Sequence, residues 1–256
     1  MFPTIQIGPA ALPSSGLIMI LSIWIGLSVT ERYSDRFHIS PSQINSMVFL
    51  ALAAGILGAR LGYILQYPQI FIANPASILS RNVELFDKFF GFSCAIIANI
   101  IYIQKKKLPL LSVLDALVPM GAVLLIAASL SDLAAGSGYG TPSQLPWAID
   151  LLGTTRHPTQ FYMLIISAGL FWIYWPGKQI WASSQPGIYF FSFLASVSGM
   201  VIFLETFRGD SDILLHGIRR NQAVAWLVLA LSLFAIPKVR SQALASSPGK
   251  NYGDVA

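Results

Sequence analysis

Between Ser46 and Leu65 the chain carries a single charged side chain, Arg60, inside an apolar run long enough to cross a bilayer. Hydrocarbon offers no partners to peptide groups, so a spanning segment of this kind has to be helical. The charge also has to be accommodated. Near mid-span a guanidinium costs at least about 2.5 to 3.5 kcal/mol on insertion scales, and less where its stem lets the head reach the interface. Arg60 stands toward the end of the run, which leaves two readings: an interfacial anchor, or a cation facing a polar cavity that holds an anionic group such as a lipid phosphate. Gly55, Gly58 and Gly62 fall on one helical face, where another helix or a ligand can approach closely.

Comparable runs recur along the chain. The pattern predicts spans over 16–30, 46–65, 89–103, 110–133, 158–175, 187–207 and 223–236, with the first reaching back to Ala10 at full length and the second starting as early as Ser42. Soluble domains carry about 25% charged residues, whereas here 55% of 256 residues are hydrophobic and 11% charged. The expected fold is therefore all-α, a polytopic membrane protein with one seven-span domain over residues 1–240, a polar outer-face loop at 134–157 and a disordered cytoplasmic tail at 241–256. Pro68 and Pro75 break the apolar stretch 67–80, which is too short to span and reads as an interfacial helix. Trp172, Trp175 and Trp181 stand where an aromatic belt is expected.

Loop charges set the orientation. With the N-terminus outside, Arg32, Arg36, Lys105, Lys106, Lys107, Lys178, Lys238, Arg240 and Lys250 are cytoplasmic, so the positive-inside rule favours N-out and C-in. Arg60, Arg156 and Arg208 then lie toward the outer face. The net charge of +5 comes without a basic stripe interleaved with aromatics, which argues against nucleic acid. Cys94 alone permits no disulfide, and His38, His157 and His216 lack metal-site spacing. No lysine or arginine precedes the first apolar run, as a cleavable signal peptide would need.

Five motifs follow one another: an N-terminal IGPAAL, GARLGYILQY ending span two, LDALVP in span four, RHPTQFY opening span five and LETFRGDSD ending span six. In that order and spacing, over residues 5–236, they resemble the prolipoprotein diacylglyceryl transferases, seven-span enzymes of the bacterial cytoplasmic (inner) membrane. The resemblance implies transfer of a diacylglyceryl group from phosphatidylglycerol to a lipobox cysteine thiol at the outer face, releasing glycerol phosphate. It implies no metal or organic cofactor. Partners would be phosphatidylglycerol or another anionic lipid, together with prolipoprotein signal segments.

By resemblance, Arg60, Arg156 and Arg208 cradle phosphate, with Tyr63, Gln160 and Gly140 beside them, and His157 or Glu205 takes the thiol proton. The residues also allow plainer roles. Arg156 and His157 can simply mark a helix start before Pro158, and Glu205 and Arg208, three apart, can pair along one helix face. Glu205 can instead face Arg60, and Asp115 can bond to backbone or sit at the interface.

Departures from the family pattern are concentrated. A histidine and two glycines at the start of span three are Phe89, Phe90 and Gly91 here, and R-x-G-N-x-x-N-G-E at the end of span four has Ser129, Ser131, Asp132, Ala135, Gly136 and Ser137 in its defined places. Ser15 replaces a tyrosine and Val201 an arginine. These losses define a second function class: a catalytically silent relative that binds lipid or a membrane-protein partner as a structural or accessory subunit.

Overall fold

The computed structural model describes residues 4–7, 10–80, 82, 85–151, 153–182, 185–214 and 217–246. Phe2, Arg81, Glu84, His216 and the chain after Ser246 fall outside them. A short hairpin, β1 (Thr4–Ile7) and β2 (Ala10–Pro13), leads into α1 (Ser14–Ser34), α2 (Pro41–Gln66), α3 (Pro68–Ala73), α4 (Lys88–Lys105) and α5 (Leu110–Ala135). A second hairpin, β3 (Ile149–Leu151) and β4 (Thr154–Arg156), precedes α6 (Thr159–Ile173), α7 (Gln179–Ala182), α8 (Ile188–Glu205) and α9 (Arg220–Ser246).

Each expected span is one helix: α1, α2, α4, α5, α6, α8 and α9. Five of them, α1, α2, α5, α8 and α9, are long and apolar enough to cross a membrane by length and composition; α6 is a shorter apolar helix. The 18 residues of α4 begin and end on lysine. The chain is an all-α polytopic membrane protein. Two boundaries differ from expectation. Span one does not reach back to Ala10, because Ala10–Pro13 is paired with Thr4–Ile7 and α1 starts at Ser14. At the other end α9 continues through Pro237 to Ser246, so the expected tail is helical over its first residues. The stretch after α2 forms α3 and a 3-10 turn, Pro75–Leu79.

The long helices pack as pairs, α1 on α5, α2 on α4 and α8 on α9, with α6 against α5. The α2–α4 pair shows what the span-two glycines are for. A Cβ on Gly58 would overlap Cys94 and one on Gly62 would overlap Phe90, while one on Gly91 would lie 2.8 Å from both the Gly55 carbonyl oxygen and the Ala59 Cβ. Another helix, and not a ligand, occupies the glycine face, and Phe90 fills part of it.

Asp115 bonds to backbone. From α5 its carboxylate accepts the N–H groups of Gly187 (2.6 Å) and Phe190 (2.8 Å), capping the N-terminus of α8 where Gly187 has a φ of 95°. Arg36 donates to the carbonyls of Pro176 and Gly177, both at 3.1 Å, and so ties the turn after α6 to the end of α1. The expected tryptophan belt is only partly one. Trp172 is exposed with the Lys178 ammonium 4.1 Å over its ring, but Trp175 packs on Tyr33 and Phe171, and Trp181 stacks on Tyr174.

Gly91→Ala is expected to cost roughly 1–3 kcal/mol through overpacking, read as a lower thermal midpoint of the detergent-solubilised protein. Gly169→Ala, where a Cβ meets nothing within 4 Å, leaves the midpoint in place. Equal midpoints for the two variants would contradict near-backbone contact between α2 and α4.

Candidate functional site

The connection after α5 sews two helix ends together. The helix stops at Gly136, whose φ of 75° sends the chain across the ends of α6 and α8. On one edge of this crossing strand Thr141 N–H donates to the Phe207 carbonyl and Gly209 N–H to that of Tyr139, both at 2.8 Å. On the other edge His157 N–H donates to Thr141 (3.1 Å) and Ser143 N–H to Thr155 (2.9 Å). Gly140 sits where a Cβ would overlap the His157 carbonyl, so this approach of three backbones requires glycine. At the start of α6, Gln160 Nε2 donates to the Ser137 carbonyl at 2.9 Å.

Beneath this patch a cavity of about 570 Å³ opens between α5, α6, α8 and α9. Its polar end is lined by Asp132, Gln160, Glu205, Arg208, Arg220 and Asn221, and its deeper wall by aliphatic groups such as Val201, Leu204, Val224 and Val228. Glu205 is 3% exposed, and its Oε1 accepts from Asn221 Nδ2 at 3.2 Å. The guanidinium of Arg208 donates to Asp210 through Nε (3.0 Å) and Nη2 (3.3 Å). Burial pulls the Arg208 pKa down, yet the hydrogen bond and charge of Asp210, with the charges of Glu205 and Asp132, hold it above its ordinary value. It therefore stays cationic across physiological pH. Pairing of Glu205 with Arg208 along a helix face does not form, because α8 ends at Glu205 and Arg208 instead bridges to Gly140.

The three arginines do not gather around this hollow. Arg60, 9% exposed, donates to the carbonyls of Ile78 (Nε, 3.0 Å), Leu85 (Nη1, 2.9 Å) and Ser77 (Nη2), with the Phe71 and Phe86 rings over its guanidinium. It clamps the connection between α2 and α4. Nearby, Asp87 caps α4 by accepting Phe90 N–H (2.6 Å) and Gln66 Nε2 (2.8 Å), bonds that hold its carboxyl below the usual carboxylate range. Tyr63 packs on Tyr67 and Phe71 beside that clamp. Arg156 donates to the Leu151 and Gly140 carbonyls, each at 3.2 Å, and lies over Tyr139, one strand away from Arg208.

His157 and Tyr162 line a different, apolar cavity of about 450 Å³ with Leu145, Trp147, Phe203 and Phe207. There His157 Nδ1 is 3.5 Å from the Tyr162 hydroxyl, which accepts from Trp147 Nε1 at 2.8 Å. His157 and Glu205 thus face separate spaces. Of the sequence-predicted residues, Gln160, Glu205 and Arg208 converge on the larger cavity and Gly140 backs it. Asp210, Arg219 and Asn221 were assigned no role in advance. Arg219 closes the end of α8 by donating to the carbonyls of Glu205 and Arg208 (2.6 Å for the latter). Asp210 lies within the span-six motif two residues from a cation, a legible signal; Asn221 reaches Glu205 only through the packing of α9 on α8. Among the described residues no group of three or more histidine, cysteine or carboxylate side chains suits a metal ion.

Apolar helices long enough to span a bilayer surround a cavity that is polar at one end and aliphatic deeper in, which defines a polytopic membrane protein with an internal cavity. The chain belongs to the prolipoprotein diacylglyceryl transferase family, whose model matches residues 3–237. It is similar to the phosphatidylglycerol–prolipoprotein diacylglyceryl transferase of Bordetella parapertussis, 28% identical over 191 residues (71% of each chain). The enzyme of the same name from Synechococcus elongatus is 23% identical over 249 residues, covering 91% of this chain and 85% of the relative. That from Ruegeria pomeroyi is 28% identical over 234 residues, covering 79% and 78%.

Because three donors of Arg60 hold the carbonyls of Ser77, Ile78 and Leu85, Arg60→Ala is expected to raise amide hydrogen exchange across 77–80 and 85–87 by about tenfold or more. Lipid copurifying with the protein should be unchanged. Unaltered exchange together with lost lipid would instead return Arg60 to a lipid site.

Proposed function

We propose that this chain is a phospholipid-handling member of the diacylglyceryl transferase family, in a bacterial cytoplasmic membrane with its N-terminus outside. Its larger cavity takes one diacyl glycerophospholipid, phosphate at Arg208 and acyl chains along α8 and α9. The observation that carries this reading is the convergence of Gln160, Glu205 and Arg208, from two separate motifs, on one cavity whose deeper wall is aliphatic.

The relatives are named for a transfer from phosphatidylglycerol to a prolipoprotein, and two groups here suit that chemistry. The lipobox sulfur would bond to the terminal glyceryl carbon, its proton passing to Glu205. The carbon–oxygen bond to phosphate would break, and glycerol phosphate would leave against the Arg208 charge. Binding without transfer is the second reading, and specific observations favour it. Arg208 is already shared with Asp210, Arg60 and Arg156 are spent on backbone carbonyls, and Phe89 and Phe90 stand where the family pattern has its histidine and first glycine. Asp132 also faces the cavity in the place of an asparagine. The geometry supports lipid binding more strongly than it supports transfer.

Expression in a strain depleted of its own transferase separates the two. The transfer reading predicts growth and lipoprotein modification that Glu205→Gln and Arg208→Ala abolish. The binding reading predicts no rescue, while phospholipid stays with the purified wild-type protein and falls severalfold in Arg208→Ala. Rescue that survives both substitutions, or purification free of phospholipid, would overturn the cavity assignment.

A further inference from the structure

The backbone around Arg208 is held from several directions. The Phe207 carbonyl accepts from Thr141, Gly209 donates to the Tyr139 carbonyl, and the Arg208 carbonyl accepts from Arg219. The side chain beyond that backbone is long, and an arginine free to sample its rotamers loses that freedom when a ligand stops it. A neighbouring carboxylate removes the freedom in advance.

Asp210 grips the guanidinium by one edge. Its Oδ1 accepts Arg208 Nε at 3.0 Å and its Oδ2 accepts Nη2 at 3.3 Å, a two-point contact that fixes the plane of the cation as well as its distance. The same Oδ2 accepts Gly138 N–H at 2.7 Å, and the Gly138 carbonyl accepts from the Thr159 hydroxyl at the start of α6. The carboxylate is therefore anchored to a loop and a helix other than α8. Arg208 and Gly138 line the cavity, whereas Asp210 does not. Asp210 thus stands behind the cation and not between it and a ligand, and Arg208 Nη1 makes no hydrogen bond among the described residues.

We infer that Asp210 is a positioning residue, which holds Arg208 so that the Nη1 edge of the guanidinium meets the phosphate of a bound lipid without further ordering. Its own negative charge opposes a phosphate, but at one remove and partly exposed to water, where screening leaves it weaker than a direct charge-assisted bond. An asparagine of the same shape cannot replace it. Arg208 and Gly138 together direct three N–H donors at the carboxylate, and an amide offers a single acceptor oxygen to receive them. This role rests on the lipid phosphate lying at Arg208, as proposed above.

The test offers the detergent-solubilised full chain equal amounts of phosphatidylglycerol and of diacylglycerol with matched acyl chains, and reads retained lipid by native mass spectrometry. Diacylglycerol lacks the phosphate and so reports on the cavity without Arg208. Wild-type protein is expected to retain phosphatidylglycerol severalfold over diacylglycerol. Asp210→Ala and Asp210→Asn should each lower retained phosphatidylglycerol by about three- to tenfold, the scale of ordering one long side chain on binding, and leave diacylglycerol where it was. Arg208→Ala should lower phosphatidylglycerol at least as far, and adding Asp210→Ala to it should lower it no further, because Asp210 acts through Arg208. Phosphatidylglycerol unchanged or raised in Asp210→Ala, full retention in Asp210→Asn, a parallel fall in diacylglycerol, or a further fall in the double variant would overturn the inference and leave lipid binding standing. Wild-type protein that retains neither lipid, or holds phosphatidylglycerol no better than diacylglycerol, would instead refute the phosphate at Arg208 and this role with it.

Discussion

A guanidinium has five N–H donors and cannot shed its charge, so in apolar surroundings it settles wherever acceptors can be gathered. Loops at the edge of a bilayer have the complementary difficulty, since their carbonyls lack helical partners. In this protein each answers the other. Arg60 closes the connection between α2 and α4 with three carbonyl bonds, Arg36 holds the turn after α6, Arg156 joins β4 to Gly140, and Arg219 ends α8. The donors spent in this way are unavailable to a ligand. Arg208 differs in bonding to a carboxylate and in facing the large cavity.

Both ends of α8 are fixed by side chains from elsewhere in the sequence. Asp115 of α5 caps its start, and Arg219 at the foot of α9 takes the carbonyls at its finish. Terminating α8 at Glu205 leaves that carboxylate inside the cavity and lets the chain turn, so that Arg208 joins the strand at Gly140 instead of pairing with Glu205 one turn below. The position of the charged groups therefore follows from helix termination. The aliphatic wall beneath them comes from side chains of α8 and α9, which pack on each other.

Much of the fold was legible because it depends on the length and apolarity of each run: α1, α2, α4, α5, α6, α8 and α9 each fall on an expected span, with α1 and α9 differing at one boundary. The two hairpins were not, since four-residue and three-residue strands in proline-rich and glycine-rich stretches carry little periodicity. For the site, the motifs group Gln160, Glu205 and Arg208, which line one cavity, with Arg60, Arg156 and His157, which do not line it. Sequence proximity to a motif does not fix helix rotation. Arg60 turns toward Ser77, Ile78 and Leu85, whose carbonyls no pattern in the chain advertises as its partners. His157 is drawn toward Phe207, Tyr162 and Trp147 because its backbone is held against Thr141. Asn221 could only be found once α9 was known to lie on α8.

The central claim is that a lipid occupies the space between α6, α8 and α9, with its head at Arg208. The most direct measurement is photo-crosslinking in membranes with a diacyl phospholipid carrying a diazirine midway along one acyl chain, mapped by peptide mass spectrometry. Labelling concentrated on Val201, Leu204, Val224 and Val228, and lost in Arg208→Ala, is the predicted result. Labelling centred on the α2–α4 pair or on the aromatic cavity beside His157, or a pattern indifferent to Arg208, would contradict it.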